Sequence, residues 1–185
     1  MVKVTVVGNT NAGKTTLVHR LVYNALPPDP LQTTIGADFH VLPCEENPVH
    51  VWDTGNLERF SDISRHYYRK TRMFLIVYDC KSPVSACAAL SKWHAILQRQ
   101  CDAYPQDVDV IAVRSKCDII GYETPSIVSA YCGQHGMKHV SVSSTDNVGI
   151  DTVANNIYNI QTSSPPPICL VQKTRSPKTT CPRCT

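Results

Sequence analysis

The chain has 185 residues, of which 42% are hydrophobic and 18% are charged. This length favours a single domain with a sizeable core, and the composition argues against wholesale disorder. The net charge of +3 is too small to indicate nucleic-acid binding. The longest apolar run, residues 73–78, is too short to cross a bilayer, and no secretory leader is expected.

The predicted elements alternate between strands and helices. Strands are predicted at residues 2–7, 37–42, 49–52, 73–79, 108–113 and 139–142, and helices at residues 14–26, 83–99, 126–135 and 149–160. Such alternation implies parallel strands with helices on both faces of the sheet. Only the short turn at residues 43–48 joins two strands directly, which predicts one antiparallel edge strand. The fold class is therefore α/β, with a mostly parallel six-stranded sheet.

The composition changes near residue 162. Residues 1–161 carry the alternating elements and are predicted to form one folded domain. Residues 162–185 hold five prolines and four basic residues but no acidic residue. This segment is therefore predicted to be a flexible, Pro-rich basic tail.

The nine cysteines are odd in number and scattered, which favours reduced thiols in the cytosol over a disulfide framework. The C-x-x-C pair, Cys181 and Cys184, has no second pair and no histidine cluster near it in the sequence. Since a structural zinc site needs about four ligands, no metal site is predicted there.

The most informative motif, GNTNAGKT at residues 8–15, follows the first strand and opens the first helix. It fits the pattern G-x-x-x-x-G-K-[ST], whose small residues allow backbone N–H groups to surround a phosphate at a helix N-terminus. Lys14 would add a positive charge for the β- and γ-phosphates, and Thr15 a hydroxyl for Mg²⁺. Asp53, at the end of the strand VHVWD, is placed to hold the same ion through a water molecule.

Five further stretches follow in order: TTIGADF at 33–39, VWDTGNLERF at 51–60, SRHYYR at 64–69, LIVYD at 75–79 and SKCDI at 115–119. Together they resemble the Ras superfamily of small GTPases, and within it the Rab family of vesicle-traffic GTPases. Trp93 also falls where Rab proteins commonly carry tryptophan. The resemblance spans residues 2–160. It implies the P-loop NTPase fold of small G proteins and a switch that binds GTP or GDP with Mg²⁺.

The resemblance also implies roles for individual positions. The positions that match phosphate-binding residues are Asn9, Thr10, Asn11, Ala12, Gly13, Lys14, Thr15, Thr16, Thr34 and Asn56. Guanine-binding positions are matched by Ser115, Lys116, Asp118, Ser143, Ser144 and Thr145. Metal ligands are matched by Thr15, Thr34 and Asp53, and catalytic positions by Lys14, Thr34 and Leu57.

Effector contacts are expected on the switch regions, residues 27–37 and 53–68, which would also meet Rab regulators. The resemblance assigns this surface to Ile35, Phe39, Trp52 and Tyr67. Core packing explains the three aromatic residues equally well at this stage.

The catalytic motif departs from the family pattern, because the usual D-T-A-G-Q-E reads D-T-G-N-L-E at residues 53–58. Leu57 replaces the glutamine that orients the attacking water, and its isobutyl group cannot form hydrogen bonds, so slow hydrolysis is expected. Asn56 replaces the glycine that normally contacts the γ-phosphate. Asparagine tolerates a positive φ better than most residues, and Gly55 beside it is expected to restore some backbone freedom.

The guanine motif departs as well, because Ser115 replaces an asparagine that bonds the base and ties this loop to the phosphate loop. The shorter serine is expected to reach only one partner, at a cost of about 1–3 kcal/mol, and nucleotide exchange should be faster. Asp118 is retained, and its carboxylate can accept from guanine but not from adenine.

Rab proteins usually end in cysteines that carry geranylgeranyl groups, and Cys181 and Cys184 are the candidates for lipidation here. Pro182 excludes the C-a-a-X pattern. A lipid together with the basic tail would hold the protein on the cytosolic face of endomembranes. The alternative is an unmodified tail on a cytoplasmic protein.

Two other functions remain open. A pseudo-GTPase that mimics an active Rab protein and sequesters effectors or regulators would account for Leu57, Asn56 and Ser115. An ATP-using P-loop enzyme would account for the phosphate loop alone, but the SKCD motif at residues 115–118 argues for guanine.

Overall fold

A computed structural model describes residues 2–28, 33–44, 47–55, 66–79, 82–100, 108–121 and 123–162. Six strands lie within these ranges: β1 (Val2–Gly8), β2 (Ala37–Leu42), β3 (Val49–Thr54), β4 (Met73–Asp79), β5 (Asp109–Ser115) and β6 (Lys138–Ser141). The helices bounded there are α1 (Lys14–Tyr23), α2 (Pro83–Gln100), α3 (Cys117–Ile120), α4 (Ser126–Gln134) and α5 (Ile150–Thr162).

The strands form one sheet in the order β2-β3-β1-β4-β5-β6. Neighbouring strands are parallel except for β2 and β3, whose antiparallel pairing places β2 at one edge. The predicted α/β fold with one antiparallel edge strand is therefore confirmed. In such a sheet the carboxyl ends of the parallel strands lie along one edge, where ligands bind in open α/β sheets.

Both faces of the sheet are covered by helices. Leu75 and Val77 of β4 belong to a core cluster that includes residues of α1 and α5, such as Leu17 and Ile157. Phe74 and Ile76, which alternate with them, belong to a second cluster shared with α2 and α4. Because β4 is buried on both faces, its sequence is an unbroken apolar run rather than an alternating one.

The boundaries differ from the prediction at three places that shape the site. α1 ends at Tyr23 rather than at Leu26, because Asn24 adopts a left-handed φ of 52° and its N–H bonds the carbonyl oxygen of Arg20 at 3.1 Å. β3 and β5 each extend two residues further than predicted, to Thr54 and Ser115. Neighbouring strands on both sides supply backbone partners that the local pattern could not reveal.

Of the described helices, none is long and apolar enough to span a membrane. Asn56 and Leu57, like the cysteines of the predicted tail, Cys181 and Cys184, lie outside the described residues.

Candidate functional site

The predicted phosphate and metal residues that the structure describes gather at the carboxyl edge of the sheet. A cleft that is open to solvent lies there. It is lined by residues from three separate parts of the chain: Thr10, Asn11, Gly13, Lys14, Thr15, Thr16, Thr33, Thr34, Thr54 and Gly55. The tertiary fold thus brings the first helix, the segment before β2 and the end of β3 around one space.

The phosphate loop, residues 8–15, forms a concave stretch of backbone. Asn11 and Gly13 adopt left-handed φ values of 61° and 84°, and the N–H of Ala12 bonds the carbonyl oxygen of Asn9 at 3.2 Å. Backbone that turns in this way directs successive N–H groups to one side, where they can bind an anion. A glycine is required at residue 8 for a steric reason, because a Cβ there would lie 2.0 Å from the carbonyl oxygen of Val77.

Lys14 is buried at the start of α1. Its Nζ donates to the carbonyl oxygens of Gly8 at 3.0 Å and Asn9 at 2.9 Å, which holds the ammonium group across the loop. No side chain caps the helix at Gly13. The first N–H groups of α1 and the positive end of its dipole therefore remain for a bound anion.

Three oxygen-bearing side chains from different elements meet beside Lys14. The hydroxyl of Thr15 donates to Asp53 Oδ2 at 2.6 Å and lies 3.1 Å from the hydroxyl of Thr34. The Thr34 hydroxyl in turn lies 3.5 Å from the same carboxylate oxygen. All three residues assigned to the metal site from the sequence are therefore within hydrogen-bond reach of one another.

The carboxylate of Asp53 is fully buried. Burial raises its pKa, while the hydrogen bond from Thr15 and the charge of Lys14 act in the opposite direction. Its second oxygen, Oδ1, is also buried and has no hydrogen-bond partner within the described part of the chain. A buried carboxylate oxygen left without a donor is costly unless a cation or a water molecule meets it.

These residues fit Mg²⁺. The ion prefers oxygen ligands and is usually held by one or two carboxylates, hydroxyls and water together with substrate phosphates. Asp53 provides the single carboxylate and Thr15 and Thr34 provide hydroxyls. No cluster of three or more histidine, cysteine, aspartate or glutamate side chains suited to a metal occurs in the described ranges. The described residues therefore do not form a metal site built from such side chains alone.

Ser115 and Lys116 connect the loop after β5, which the sequence assigns to guanine, to the phosphate loop. The Ser115 hydroxyl lies 2.6 Å from the carbonyl oxygen of Ala12 and 3.2 Å from that of Tyr78. Since a hydroxyl has one proton, it can donate fully to only one of them, and the tie to the phosphate loop is the shorter contact. Lys116 Nζ donates to the carbonyl oxygen of Asn11 at 2.6 Å. The serine thus keeps the loop-to-loop tie that the sequence suggested was at risk.

Asp79 was not predicted as a site residue from the sequence. Its carboxylate lies 3.1 Å from Lys116 Nζ. This ion pair and the backbone contact fix the lysine stem beside the phosphate loop. Lys116 itself has a left-handed φ of 59°, and α3 starts directly after it. Asp118 therefore lies in the first turn of a short helix, with its side chain exposed.

The last predicted guanine-binding residues, Ser143, Ser144 and Thr145, lie in a closed turn that runs from Ser143 to Val148. Ser143 and Val148 exchange two backbone hydrogen bonds of 3.0 Å, and the Ser143 hydroxyl accepts from the N–H of Asp146 at 3.0 Å. Ser143 is buried, Ser144 is half-buried and Thr145 is exposed. The loop is thus preformed by contacts among its own residues.

Arg20 is a site-supporting residue that the sequence analysis missed. Its Nε donates to the carbonyl oxygen of Ser144 at 2.8 Å, and Nη2 lies 3.4 Å from that of Thr145. In a planar trans peptide the N–H points opposite to the carbonyl, so Arg20 turns the N–H of Thr145 away from α1. Nothing in the local sequence could identify this partner, because it lies 124 residues away.

The three aromatic residues predicted for effector contacts, Phe39, Trp52 and Tyr67, form a row of rings. The ring centroids of Phe39 and Trp52 are 5.3 Å apart and those of Trp52 and Tyr67 are 5.8 Å apart. Phe39 is 47% exposed and Ile35 is 94% exposed. None of these four residues belongs to the fully buried core, so they present a partly exposed aromatic surface beside the cleft.

Lys3 supports this aromatic row. Its Nζ lies 4.9 Å from the ring centroid of Trp52 and donates to the backbone of Tyr67 and Arg69. Burial lowers the pKa of Lys3. β1 therefore connects the ring of Trp52 to the chain around Tyr67.

Comparisons with known protein sequences identify the family of the chain. The sequence model of the Ras family matches residues 3–162. The chain is similar to GTP-binding protein Rab-3D of Rattus norvegicus, with 29% identity over 170 residues that cover 86% of this chain and 74% of the relative. It is also similar to Rab-3C of Bos taurus, at 28% identity with 86% and 71% covered, and to Rab-3A of Homo sapiens, at 27% identity with 86% and 73% covered.

Proposed function

This chain belongs to the Ras family, and from that premise we propose that it is a Rab-like switch in membrane traffic that binds GTP with Mg²⁺ and hydrolyses GTP slowly. The observation that carries the proposal is the meeting of Thr15, Thr34 and Asp53 beside the buried ammonium group of Lys14. Such a set suits a metal-bound triphosphate because it combines hard oxygen ligands with a fixed positive charge.

Each residue of the phosphate site has a separate proposed role. Lys14 and the backbone of residues 9–16 would bind the β- and γ-phosphates, with Asn56 as a further contact. Thr15 and Thr34 would hold Mg²⁺, and Asp53 would hold it directly or through water. When bound, Mg²⁺ would neutralise charge on the β- and γ-phosphate oxygens. Thr34 would report the presence of the γ-phosphate, because it belongs to the segment before β2 rather than to the rigid phosphate loop.

Guanine selection is assigned to Asp118. Its two carboxylate oxygens can accept from the N1–H and 2-amino groups of guanine, whereas adenine offers neither donor. Lys116 would cover the base with its stem, and the loop of Ser143, Ser144 and Thr145 would present a backbone N–H to the carbonyl oxygen of the base. Ser115 supports this site through Ala12, because its single proton is already within hydrogen-bond distance of backbone carbonyls.

Slow hydrolysis is proposed from Leu57 in the sequence. Without a side chain at residue 57 that can form hydrogen bonds, the attacking water is not held in position for reaction. An arginine supplied by a partner would not restore this positioning. The protein would therefore remain bound to GTP for longer than a relative that carries glutamine.

The partners proposed are effectors and Rab regulators, which would contact Ile35, Phe39, Trp52 and Tyr67 together with the switch regions. Membrane attachment through Cys181 or Cys184 and the basic residues of the tail is part of the same proposal. It would place the protein on the cytosolic face of endomembranes.

Nucleotide binding tests the core of this proposal. Bound nucleotide is extracted from the purified protein and identified, and GTP, GDP and ATP are then titrated into the stripped protein with Mg²⁺. Lys14→Ala should weaken GTP binding by about 100-fold, since charged hydrogen bonds contribute about 1.5–3 kcal/mol or more. Lys138→Ala is the matched control, because Lys138 opens β6 at the edge away from the cleft and bonds Asn156. Equal GTP affinity in the parent and in Lys14→Ala would overturn the proposal.

Single-turnover hydrolysis tests the role of Leu57. Leu57→Gln should raise the rate of GTP cleavage while the affinity for GTP stays the same. An unchanged rate would contradict the assignment of the defect to this residue.

A pseudo-GTPase is the second candidate, favoured by the combined loss of the usual glutamine, glycine and asparagine at Leu57, Asn56 and Ser115. It predicts that effectors bind equally well whichever nucleotide is present. Pull-downs with GDP and with a non-hydrolysable GTP analogue separate the two functions, and a clear preference for the analogue would exclude the mimic.

A further inference from the structure

Ser115 ends β5 at the point where the two loops assigned to the nucleotide meet. Its side chain is buried beside the phosphate loop, because a Cβ added at Gly13 would lie 3.7 Å from the Cβ of Ser115. On the other side, Val142, which precedes the second guanine loop, bonds the backbone of Arg114 at 2.8 Å and of Cys117 at 3.2 Å. Ser115 therefore lies between the phosphate loop and the guanine loop.

The hydroxyl proton of Ser115 is already used within the protein. Oγ lies 2.6 Å from the carbonyl oxygen of Ala12 and 3.2 Å from that of Tyr78. Both partners are acceptors only, and a hydroxyl has one proton. Ser115 could donate to a ligand only by leaving the carbonyl of Ala12 without its donor, which is costly for a buried group.

The next two side chains also direct their hydrogen-bond donors at the protein. Lys116 Nζ donates to the carbonyl oxygen of Asn11 at 2.6 Å and lies 3.1 Å from the carboxylate of Asp79. The buried thiol of Cys117 donates to the carbonyl oxygen of Arg114 at 3.4 Å. The start of the loop after β5 is thus held by its own contacts.

Guanine has more polar atoms than these contacts can serve. It offers donors at N1–H and the 2-amino group and acceptors at O6 and N7. In the proposed function Asp118 accepts from the two donors, and the loop of residues 143–145 donates to O6. The adjacent acceptor, N7, then needs a donor of its own, which the Ser115 hydroxyl does not have available.

We propose that residues 115–118 give guanine N7 no hydrogen bond, and that the pocket therefore binds 7-deazaguanine nucleotides, in which C–H replaces N7, as tightly as guanine nucleotides. The inference rests on the proposed function and defines the range of ligands that the same site accepts. A site that donates to a ligand atom rejects the analogue that lacks the atom, whereas a site without the donor has nothing to leave unpaired. Ser115 is in this view a positioning residue, which acts through Ala12 and not on the base.

The parent protein provides the first test. GDP and 7-deaza-GDP are titrated with excess Mg²⁺ into protein stripped of nucleotide, and their dissociation constants should agree within about twofold. A preference for GDP of about threefold or more would overturn the inference, since it would mean that N7 receives a donor. Failure of the parent to bind either nucleotide would instead overturn the proposed function, which separates the two results.

Ser115→Ala tests the positioning role. Loss of the tie to Ala12 leaves a buried carbonyl oxygen without its nearest donor, so both nucleotides should bind about tenfold more weakly while their affinity ratio stays the same. Ser129→Ala is the matched control, because Ser129 is exposed in α4 and its replacement should change neither affinity. A loss confined to GDP would overturn the inference, because the Ser115 hydroxyl would then be a donor to N7. Unchanged affinities would overturn the positioning role.

Ser115→Asn should create the selectivity that the parent lacks. An amide group has two N–H donors, so one can bond the carbonyl of Ala12 while the other is left for N7. GDP should then be preferred over 7-deaza-GDP by about fivefold, whereas Ser129→Asn should leave the ratio unchanged. An unchanged ratio in Ser115→Asn would overturn the inference, because N7 would then lie out of reach of residue 115. If this variant fails to fold, the parent protein and Ser115→Ala decide the question.

Discussion

The indole Nε1 of Trp93 donates a hydrogen bond of 2.9 Å to the side-chain oxygen of Asn9, although the two residues are 84 positions apart. Trp93 is fully buried in α2, and Asn9 is the second residue of the phosphate loop. The side-chain oxygen of Asn9 therefore faces the helix. α2 thus supports the phosphate loop from the side of the sheet opposite α1.

Replacing Trp93 tests this support. Trp93→Phe keeps a large ring but removes the indole N–H, so the side-chain oxygen of Asn9 loses this hydrogen-bond donor. A lost hydrogen bond of this kind costs about 0.5–1.5 kcal/mol, so nucleotide release should accelerate by roughly 3- to 10-fold. Trp52→Phe is the matched control, because Trp52 lies in the aromatic row and contacts Lys3 and Phe39. Equal release rates in the parent and Trp93→Phe would contradict the assignment.

Arg20 should influence base selection from outside the cleft. Arg20→Gln removes the guanidinium that holds the carbonyl oxygens of Ser144 and Thr145, so the guanine loop should lose its fixed orientation. We expect GDP to dissociate about tenfold faster and its affinity advantage over a base analogue without the 6-oxo group to shrink. Arg99→Gln is the control, since Arg99 bonds only the carbonyl of Ala95 in its own helix among the contacts described for it. An unchanged advantage for the 6-oxo base would show that Arg20 is merely structural.

Asp53 combines a proposed role in metal binding with a cost in stability. Its carboxylate is buried, its pKa is raised by burial, and Oδ1 has no partner in the described ranges. Asp53→Asn removes the charge and still accepts from Thr15. In EDTA the variant should gain about 1 kcal/mol, or roughly 2–4 °C in Tm. Addition of Mg²⁺ should no longer slow triphosphate release. A lower Tm in EDTA would indicate that the charge stabilises the fold.

Stability should fall as the pH is lowered from about 7 to about 5. Burial lowers the pKa of His40, His94 and His139. His135 and Arg114 lower the pKa of His94 and His139 further, while at His40 burial and His19 outweigh the raising effects of Asp53 and Asp38. Below the ordinary histidine pKa of about 6.5 the unfolded chain then binds more protons than the folded chain, so the free energy of unfolding decreases.

Urea unfolding at about pH 7.5 and about pH 5.5 measures this decrease. The raised pKa of Asp53 has the opposite sign, since it costs stability as pH rises, and its influence is greatest nearer the ordinary carboxyl range. His139→Gln should reduce the loss at low pH, because it removes one of the groups that titrate. A urea midpoint independent of pH would contradict the expectation.

The fold could be predicted largely from local pattern. The apolar run at residues 73–78 reflects the burial of β4 on both of its faces. The spacing of Leu17 and Leu21 reflects the burial of one face of α1. Each signal is visible within a single element. The local pattern ends β3 and β5 too early, because pairing with neighbouring strands extends them to Thr54 and Ser115. Element ends depend on partners that are distant in the sequence.

The amino-acid sequence by itself determined the chemistry available to this protein: the glycines and Lys14 of the phosphate loop, the carboxylates of Asp53 and Asp118, and the loss of a hydrogen-bonding side chain at Leu57. These are properties of residue type and short spacing. The tertiary structure alone decided which groups meet, since Arg20 reaches Ser144 and Ser115 reaches Ala12 across long stretches of chain. Such contacts depend on packing at the level of a few ångströms, and neither a motif nor a periodicity contains that information.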